Sequence, residues 1–382
     1  MALSADCVAV EFIVGAIKVT AIIGFIILGI IINCGGVPTQ TTGYIGGQYW
    51  QDPGAFANGF KGFCSVFVTA AFAFAGTELC GLAAAESENP AKAVPKASKQ
   101  VFWRICFFYI ISLTIIGLLV PYNNENLLNA SGGNSASSPF VLAIESANIA
   151  ALPSIFNAVI TLSVLSVANS STYGSTRTVQ ALAMHGMAPK IFAKVDKHGR
   201  PIWSLIVALL FGLIAYINID ADAGNQVFNW LLAISGLSTL FTWASINVNH
   251  LRFRYAWKAE GHSLDELPWA SPYGVWGSWI GFAINIIALV AQFYIALFPV
   301  GGADPDAQIF FESYLAAPIV ILFYVGYKIW DFKKTGRTQF YNSIKQMELT
   351  TGMRYLSPEV MEENRIMKAN TPKWKQVFKT FC

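Results

Sequence analysis

Eight apolar runs, each about twenty residues long, constrain the fold of this chain more than any other feature. A helix of ~20 apolar residues crosses the ~30 Å hydrocarbon core of a bilayer, and it keeps its backbone hydrogen bonds within itself. The 382 residues are 54% hydrophobic and 12% charged, whereas soluble domains carry about 25% charged residues. The sequence therefore predicts an all-α, polytopic membrane protein. The predicted spans are Val10–Asn33, Cys64–Ala85, Phe102–Val120, Ile149–Asn169, Ile202–Ile219, Gln226–Asn247, Trp276–Phe298 and Ile309–Trp330.

The distribution of Lys and Arg predicts how these spans are oriented. Of the 25 Lys and Arg, all except Lys18 and Lys61 fall in alternate loops, at the adjoining helix ends, or in the tail after Trp330. Because cytoplasmic loops carry an excess of Lys and Arg, we expect both termini to be cytoplasmic. The predicted organisation is a transmembrane domain over residues 1–331 and a cytoplasmic tail over residues 332–382. The N-terminus lacks a positively charged segment, so we expect no cleaved signal peptide.

The second apolar run contains a segment that does not fit an ordinary spanning helix. Residues 75–78 read Ala-Gly-Thr-Glu, and Gly is a weak helix former. Glu78 would lie near mid-membrane, where a carboxylate indicates a functional site and where unwound backbone must face protein or a water-filled cavity. These residues therefore predict a broken helix that binds a polar ligand. The alternative is a kink at Gly76 with a protonated Glu78 that only holds helices together.

Lys18 lies inside the first predicted span. It could extend along the helix to the membrane surface. However, the apolar stretch Val19–Ile32 is too short to cross a bilayer alone, so the span must extend back to about Val8. Lys18 would then lie well inside the bilayer, where it needs a partner or gives up its proton. Both behaviours suit ion or proton coupling.

Small and hydroxylated residues recur in the fourth and sixth spans, and the helical pattern of the fourth continues past Asn169 as far as Met184. Such residues let helices approach closely and hydrogen-bond across the contact, and packing is their simplest role. The alternative is that one or two in the fourth span line a cavity or coordinate a cation. In the sixth span the best candidates for lining a cavity are Ser235, Gly236 and Ser238.

The segment Glu86–Arg104 follows the second span and contains two prolines, of which Pro90 is suited to begin a helix. Lys92, Lys96 and Lys99 lie three or four residues apart and would share one helix face. We therefore expect a short amphipathic helix on the cytoplasmic leaflet, attracted to anionic headgroups.

Two residues are candidates for covalent modification. Asn129 begins a glycosylation sequon on a loop assigned to the outside. Cys382 ends an aromatic and basic segment that is expected to return to the membrane surface, which makes it a candidate for palmitoylation. The other cysteines show no paired spacing and are expected to act as small hydrophobic fillers. They are Cys7, Cys34, Cys64, Cys80 and Cys106.

The sequence contains no phosphate-binding P-loop, no His-Glu-x-x-His motif, no Gly-rich dinucleotide loop and no nucleophile elbow. The four histidines fall in predicted cytoplasmic loops or at helix ends and are not clustered within a span. We therefore expect no enzyme activity, no cofactor, no metal site and no nucleic-acid partner.

Several long motifs together resemble the fungal amino-acid permeases of the amino acid–polyamine–organocation superfamily. The resemblance covers essentially the whole chain, and motifs of this length are far more specific than a short pattern. The chain end, Phe381-Cys382, is similar to the palmitoylated aromatic-Cys end of these permeases. The other stretches that carry the resemblance are Ile17–Asn33, Phe74–Leu79, Ala83–Pro90, Pro95–Arg104, Ala188–Phe192 and Gly199–Pro201.

The resemblance implies a leucine-transporter-like fold, in which two inverted five-helix repeats are followed by two further helices. The family has twelve spans, and the eight predicted here resemble its helices five to twelve. The second repeat would be complete as spans two to six, and the first would be represented by its last helix alone. On this basis we expect that missing N-terminal helices, or a partner subunit, complete the binding site.

The resemblance also implies roles for individual residues. The stretch Phe74, Ala75, Gly76, Thr77 and Glu78 resembles the broken helix that contacts the amino group and side chain of the substrate. Lys18 resembles the family lysine that occupies the position of a sodium ion in sodium-coupled relatives, which implies proton coupling through Lys18 and Glu78. The residues expected to face Lys18 from the fourth helix are Ser163, Ser166 and Asn169.

The function implied is a proton-coupled amino-acid importer of a fungal plasma membrane, which works by alternating access. Its partners would be the amino-acid substrate, protons and the lipid bilayer. Two alternatives stay open, namely a non-transporting amino-acid sensor on the same scaffold and an inactive, N-terminally truncated fragment. A sensor would bind substrate without flux, whereas a fragment would fold poorly.

Overall fold

A computed structural model shows an all-α arrangement for the part of the chain that it describes. The described residues are 2–83, 90–128, 138–267, 269–271, 273–302, 305–336, 338–339 and 341–349, together with Glu362 and Ile366. The α-helices, in chain order from α1 to α12, are Ala2–Asn33, Gly59–Phe74, Leu79–Ala83, Pro90–Leu119, Glu125–Leu128, Pro139–Glu145, Leu152–Met184, Ile202–Gly212, Ala221–Ala259, Gly274–Leu297, Ala307–Tyr314 and Ala316–Thr335.

The number of spans agrees with the sequence analysis. Among the described residues, seven helices are long and apolar enough to cross a membrane, and the bent pair α11 and α12 makes up to eight. The predicted end was too early for the sixth span, because α9 runs on to Ala259, whereas α7 continues to Met184 as the pattern past Asn169 indicated. Hydropathy marks only the apolar part of a helix, whereas polar residues can continue the helix beyond that part.

The segment before the third span differs from the expectation. Pro90 does begin a helix, as predicted, but α4 is continuous from there to Leu119. The prediction of a separate amphipathic helix is therefore wrong, and the residues assigned to it form the first turns of the third span. Pro95 lies within these early turns. Because proline has no backbone N–H, it cannot bond to the carbonyl of Ala91, four residues earlier. Ala91 lies close to the helix start, so the helix continues through Pro95.

The last predicted span is bent by 64° between α11 and α12, where Leu315 separates the two helices. Pro318 lies in the first turn of α12. A proline ring clashes with the carbonyl four residues earlier, which here belongs to Tyr314, the last residue of α11. The bend therefore falls where a straight helix would bring these two groups together.

The chain divides into two compact units. Unit 1 comprises Met1–Ala57 and Trp103–Asn229, and unit 2 comprises Asn58–Phe102 and Trp230–Cys382. In unit 1, α1 packs closely against α4, and a Cβ added to Gly29 would overlap Cγ2 of Ile115. The short helix α6 is buried in the same core, where Phe140 meets Phe25 edge-on at 4.8 Å between ring centroids. The sequence analysis missed α6 because seven residues are too few to form a span.

A loop of unit 1 follows α7 and is fixed by Asp196. Its carboxylate accepts the backbone N–H groups of His198 and Arg200, and it forms an ion pair with the Arg200 guanidinium at 2.6 Å. The side-chain hydrogen bond from Arg200 is the main cause that lowers the pKa of Asp196 to about 2. Arg177 of α7 donates to the carbonyl of Gly199, which ties this loop to the helix.

In unit 2 the core forms where α2 lies against α9 and α10. Buried side chains from these helices and from α12 make one cluster, which includes Val68, Leu237, Ala288 and Ala316. The closest approach is at Gly236 of α9, where an added Cβ would lie 2.7 Å from the carbonyl oxygen of Val68. This contact is backbone against backbone, so Gly at this position permits the crossing.

We predict that Gly236→Ala destabilises unit 2 by about 1–3 kcal/mol, because the added methyl group meets a carbonyl that cannot rotate away. The measurement is the thermal unfolding midpoint of the purified chain in detergent. Gly326→Ala on α12 is the control, since a Cβ there meets nothing within 4 Å. Equal midpoints for the two variants would contradict the packing role of Gly236.

Candidate functional site: a broken helix and a partly buried lysine

The second predicted span is broken where the sequence indicated. Helix α2 ends at Phe74, and Ala75 then adopts an extended conformation with φ −57° and ψ 145°. Gly76 follows with φ +94°, a conformation that favours glycine, and the helix resumes at Leu79 as α3. The predicted break is therefore confirmed, and it ends the regular hydrogen-bonding pattern of α2.

Glu78 closes the break from its C-terminal side. Its carboxylate oxygens lie 3.2 and 3.3 Å from the backbone nitrogen of Gly76, which donates to them. Oε2 also accepts a hydrogen bond of 3.3 Å from Nε1 of Trp243, on α9. Glu78 thus holds the shape of the unwound segment and connects it to a neighbouring helix of unit 2. These contacts fit a helix-holding role, and they also place an acidic side chain at the break.

The three candidates on α9 have different surroundings. Gly236 is buried against the backbone of Val68, which gives it a packing role. Ser235 is exposed and Ser238 is partly buried. A ligand-binding role for Ser235 and Ser238 stays a prediction, whereas the contact of Gly236 accounts for glycine at that position without a ligand.

A second polar cluster lies in unit 1, between α1 and α7. Nζ of Lys18 donates to Oγ of Ser166 at 2.7 Å, and Ser166 in turn donates to Oε2 of Glu11 at 2.5 Å. Asn169 donates to Oε1 of Glu11 at 2.9 Å, and Ser170 approaches the same oxygen at 3.4 Å. Ser166 therefore contacts Lys18 directly, whereas Asn169 contacts Glu11, and their roles in coupling stay predictions.

The carboxylate of Glu11 was missed by the sequence analysis, although a signal for it was available. Glu11 and Lys18 are seven residues apart, which places them about 20° apart around the helix and ~10 Å apart along its axis. Both residues therefore lie on one face of α1. Their partners Ser166 and Asn169 are three residues apart on α7 and share a face in the same way.

Ser163, the third residue expected to face Lys18, has a different contact. Its hydroxyl donates to the carbonyl of Val159, one turn back in α7, at 2.7 Å. Such a bond within the helix satisfies the hydroxyl locally. A role for Ser163 beside Lys18 stays a prediction.

The remaining candidates concern metals and covalent modification. Among the described residues, no group of three or more His, Cys, Asp or Glu is placed to hold a metal ion. Cys64 is a buried free thiol in α2, as a hydrophobic filler would be, whereas Cys34 is exposed just past the end of α1. The glycosylation candidate Asn129 and the palmitoylation candidate Cys382 lie outside the described residues.

These features define a class of protein. The chain is a polytopic membrane protein whose described spans contain ionisable side chains and an interrupted helix at the α2–α3 break. Comparison with known proteins then identifies the family. The sequence profile described as "Amino acid permease" matches residues 8–340, so the chain belongs to the amino acid permease family. The resemblance inferred from the motifs is confirmed.

The similarity of the chain to individual proteins agrees with this family assignment. The chain is 52% identical over 382 residues to general amino-acid permease GAP1 of Saccharomyces cerevisiae, with 97% of the chain and 62% of that protein covered. It is also 52% identical over 377 residues to cationic amino acid transporter 1 of Schizosaccharomyces pombe, with 98% of the chain and 62% of that protein covered. The chain therefore spans less than two thirds of the length of these relatives.

We predict that Gly76→Ala disturbs the break between α2 and α3. Its Cβ would make only an ordinary contact of 3.7 Å with Leu79, so the cost comes from the backbone at φ +94° and is about 1–3 kcal/mol. Hydrogen exchange of the backbone amides around the break should become faster. Gly81→Ala, in the regular helix α3 with nothing within 4 Å, should leave that exchange unchanged. Equal exchange in both variants would show that the break does not depend on Gly76.

Proposed function

We propose that the chain moves amino acids across a membrane by alternating access, with the substrate bound at the α2–α3 break. The observation that carries this proposal is the unwound segment from Ala75 to Glu78 within a member of the amino acid permease family. The C-terminal end of α2 carries partial negative charge from its helix dipole, which suits the ammonium group of an amino acid. Glu78 adds an acidic group at the same place.

The residues proposed to contact the substrate follow from this arrangement. The backbone from Phe74 to Thr77 would bind the substrate's polar groups, because an unwound segment inside a span offers donors and acceptors that a regular helix does not. Ser235 and Ser238 would contribute hydroxyl groups from α9. Trp243 fixes Glu78 through its indole N–H, so it would act on the substrate only through Glu78.

Proton coupling is proposed on the basis of the cluster around Lys18. An ammonium group inside a span is costly unless it is paired or loses its proton. The bond from Lys18 to Ser166 and the nearby carboxylate of Glu11 supply the pairing. A proton gained or lost at this cluster would change which arrangement of α1 and α7 is favoured, which is what coupling to transport requires.

The proposal also includes the membrane in which the chain lies and its orientation there. The Lys and Arg distribution and the fungal relatives support a multi-pass protein of the plasma membrane with both termini in the cytoplasm. The transmembrane domain would end near residue 331, with glycosylation at Asn129 outside and palmitoylation of Cys382 inside. Protease accessibility of the tail in intact and permeabilised cells tests this topology, and cleavage in intact cells would contradict it.

We predict that Lys18→Met and Glu78→Gln each abolish gradient-driven amino-acid uptake while the amount of protein at the cell surface stays normal. Lys18→Met removes the titrating group, and Glu78→Gln removes the charge at the break. The measurement is uptake of a labelled amino-acid mixture by cells that lack their own permeases. Lys61→Met serves as a matched control, because Lys61 contacts the carbonyl of Pro299 and not the cluster.

Normal uptake by both variants would contradict the coupling roles of Lys18 and Glu78. Equilibrium binding of the labelled mixture to the purified wild-type chain separates the alternatives. Binding without flux would indicate the amino-acid sensor, and a chain that neither binds nor transports would contradict the proposed function.

A further inference from the structure

The carboxylate of Glu11 has no role in the proposed function beyond its pairing with Lys18. We propose that Glu11 is the group that accepts the proton from Lys18 and passes it toward the cytoplasm, with the Ser166 hydroxyl as the bridge between them. This inference rests on the proposed proton-coupled transport and names the exit route of the proton.

The geometry that supports the route is a continuous chain of hydrogen bonds. Lys18 Nζ donates to Ser166 Oγ at 2.7 Å, and Ser166 Oγ donates to Glu11 Oε2 at 2.5 Å. Ser166 is buried, whereas Lys18 and Glu11 are partly buried. Asn169 donates to the other carboxylate oxygen at 2.9 Å and so fixes the orientation of Glu11. Each atom of the route is therefore within hydrogen-bond distance of the next.

The position of Glu11 along α1 gives the route a direction. Glu11 is the second residue of the apolar stretch Val10–Asn33, whereas Lys18 lies two turns deeper. Seven residues of helix correspond to ~10 Å along the axis. Because the N-terminal end of this span is proposed to face the cytoplasm, Glu11 lies between Lys18 and the cytoplasmic water. A proton passed from Lys18 to Glu11 would thus move inward, as import requires.

The proton transfer conserves both atoms and charge. Ser166 gives its hydroxyl proton to the Glu11 carboxylate while it takes one proton from the Lys18 ammonium. The products are a neutral amine, an intact hydroxyl and a neutral carboxylic acid. The pair carries no net charge before or after the transfer, so neither state leaves an uncompensated charge in a low-dielectric environment. Release of the proton from Glu11 to the cytoplasm leaves the carboxylate beside a neutral amine, and uptake of the next proton by Lys18 restores the starting ion pair.

The charged groups around this route are few among the described parts of the neighbouring helices. Lys18 is the cation that shares the face of Glu11 on α1. Helix α7 faces α1 with uncharged side chains and carries Arg177 two turns beyond Ser170. Helices α4 and α6 also pack against α1 in unit 1, and their charged side chains there are Arg104 and Glu145. Glu11 and Lys18 therefore form the ionisable pair of this cluster.

The test separates net proton-driven accumulation from exchange of substrate across the membrane. Exchange needs no net release of a proton, whereas accumulation does. Glu11→Gln imitates a carboxylic acid that never loses its proton, so exchange should persist while accumulation falls by about tenfold or more. A positioned proton acceptor typically contributes about 10²- to 10⁴-fold. Glu11→Asp should recover part of the accumulation, because it restores a titrating carboxylate.

Glu145→Gln is the matched control, since Glu145 is an exposed carboxylate of the same unit at the end of α6. Both transport modes should be normal in this variant. Loss of exchange and accumulation together in Glu11→Gln, with the protein still at the membrane, would assign Glu11 a structural role and overturn the inference. Normal accumulation in Glu11→Gln would overturn it as well, while leaving the proposed transport function intact.

A second measurement does not depend on transport. Infrared pH-difference spectra of the purified chain should show the carbonyl stretch of a protonated carboxylic acid in the wild type and in Glu145→Gln. Glu11→Gln should lose the component of this band that comes from Glu11, while the other carboxyl groups keep theirs. Identical spectra for all three proteins would contradict proton uptake by Glu11. If the wild type shows this band but no exchange, the proposed function fails independently of the proton-accepting chemistry of Glu11.

Discussion

The Lys18 ammonium lies inside a membrane-spanning helix and is paired with Ser166 and Glu11, and the polar contact between α1 and α7 in unit 1 depends on this pairing. An unpaired charge in a bilayer costs several kcal/mol or is avoided by loss of the proton. Ser166 and Glu11 provide the pairing through bonds of 2.7 and 2.5 Å. The contact fixes which face of α7 lies against α1. It also places two ionisable groups where a change of protonation would alter the packing of two long helices.

Unit 2 contains the other polar feature, which is the interruption of α2 at Ala75 and Gly76. Two glycines have different structural roles in unit 2. Gly76 adopts φ +94°, which an L-residue avoids, and Gly236 lets α9 approach the Val68 carbonyl closely. Glu78 then spans the break and bonds to Trp243. The unwound backbone is thereby held in one shape, which a binding site needs if it is to recognise a polar ligand.

Much of this architecture could be predicted from the sequence, because a helix that crosses a bilayer needs about 20 mostly apolar residues and must satisfy its own backbone hydrogen bonds. Apolar length determined the number of spans, and Gly76 with Glu78 located the helix break. Side-chain partners were harder to predict, because hydropathy does not reveal which faces of two helices meet. Glu11 was overlooked at the edge of its span, although its spacing from Lys18 put both on one face. Ser163 was included with Ser166, yet it bonds to its own helix. The continuity of α4 through Pro95 also depends on where in the helix the proline falls.

The most direct test of the central claim is simultaneous measurement of proton and amino-acid movement by the chain in sealed vesicles. A pH-sensitive dye inside the vesicles reports protons, and labelled amino acids report substrate. The account predicts that an inward proton gradient drives amino-acid accumulation, that added substrate accelerates proton entry, and that a protonophore abolishes the accumulation. Proton-coupled transport would be contradicted if amino-acid entry did not depend on the proton gradient. It would also be contradicted if the chain bound amino acids but moved neither amino acids nor protons.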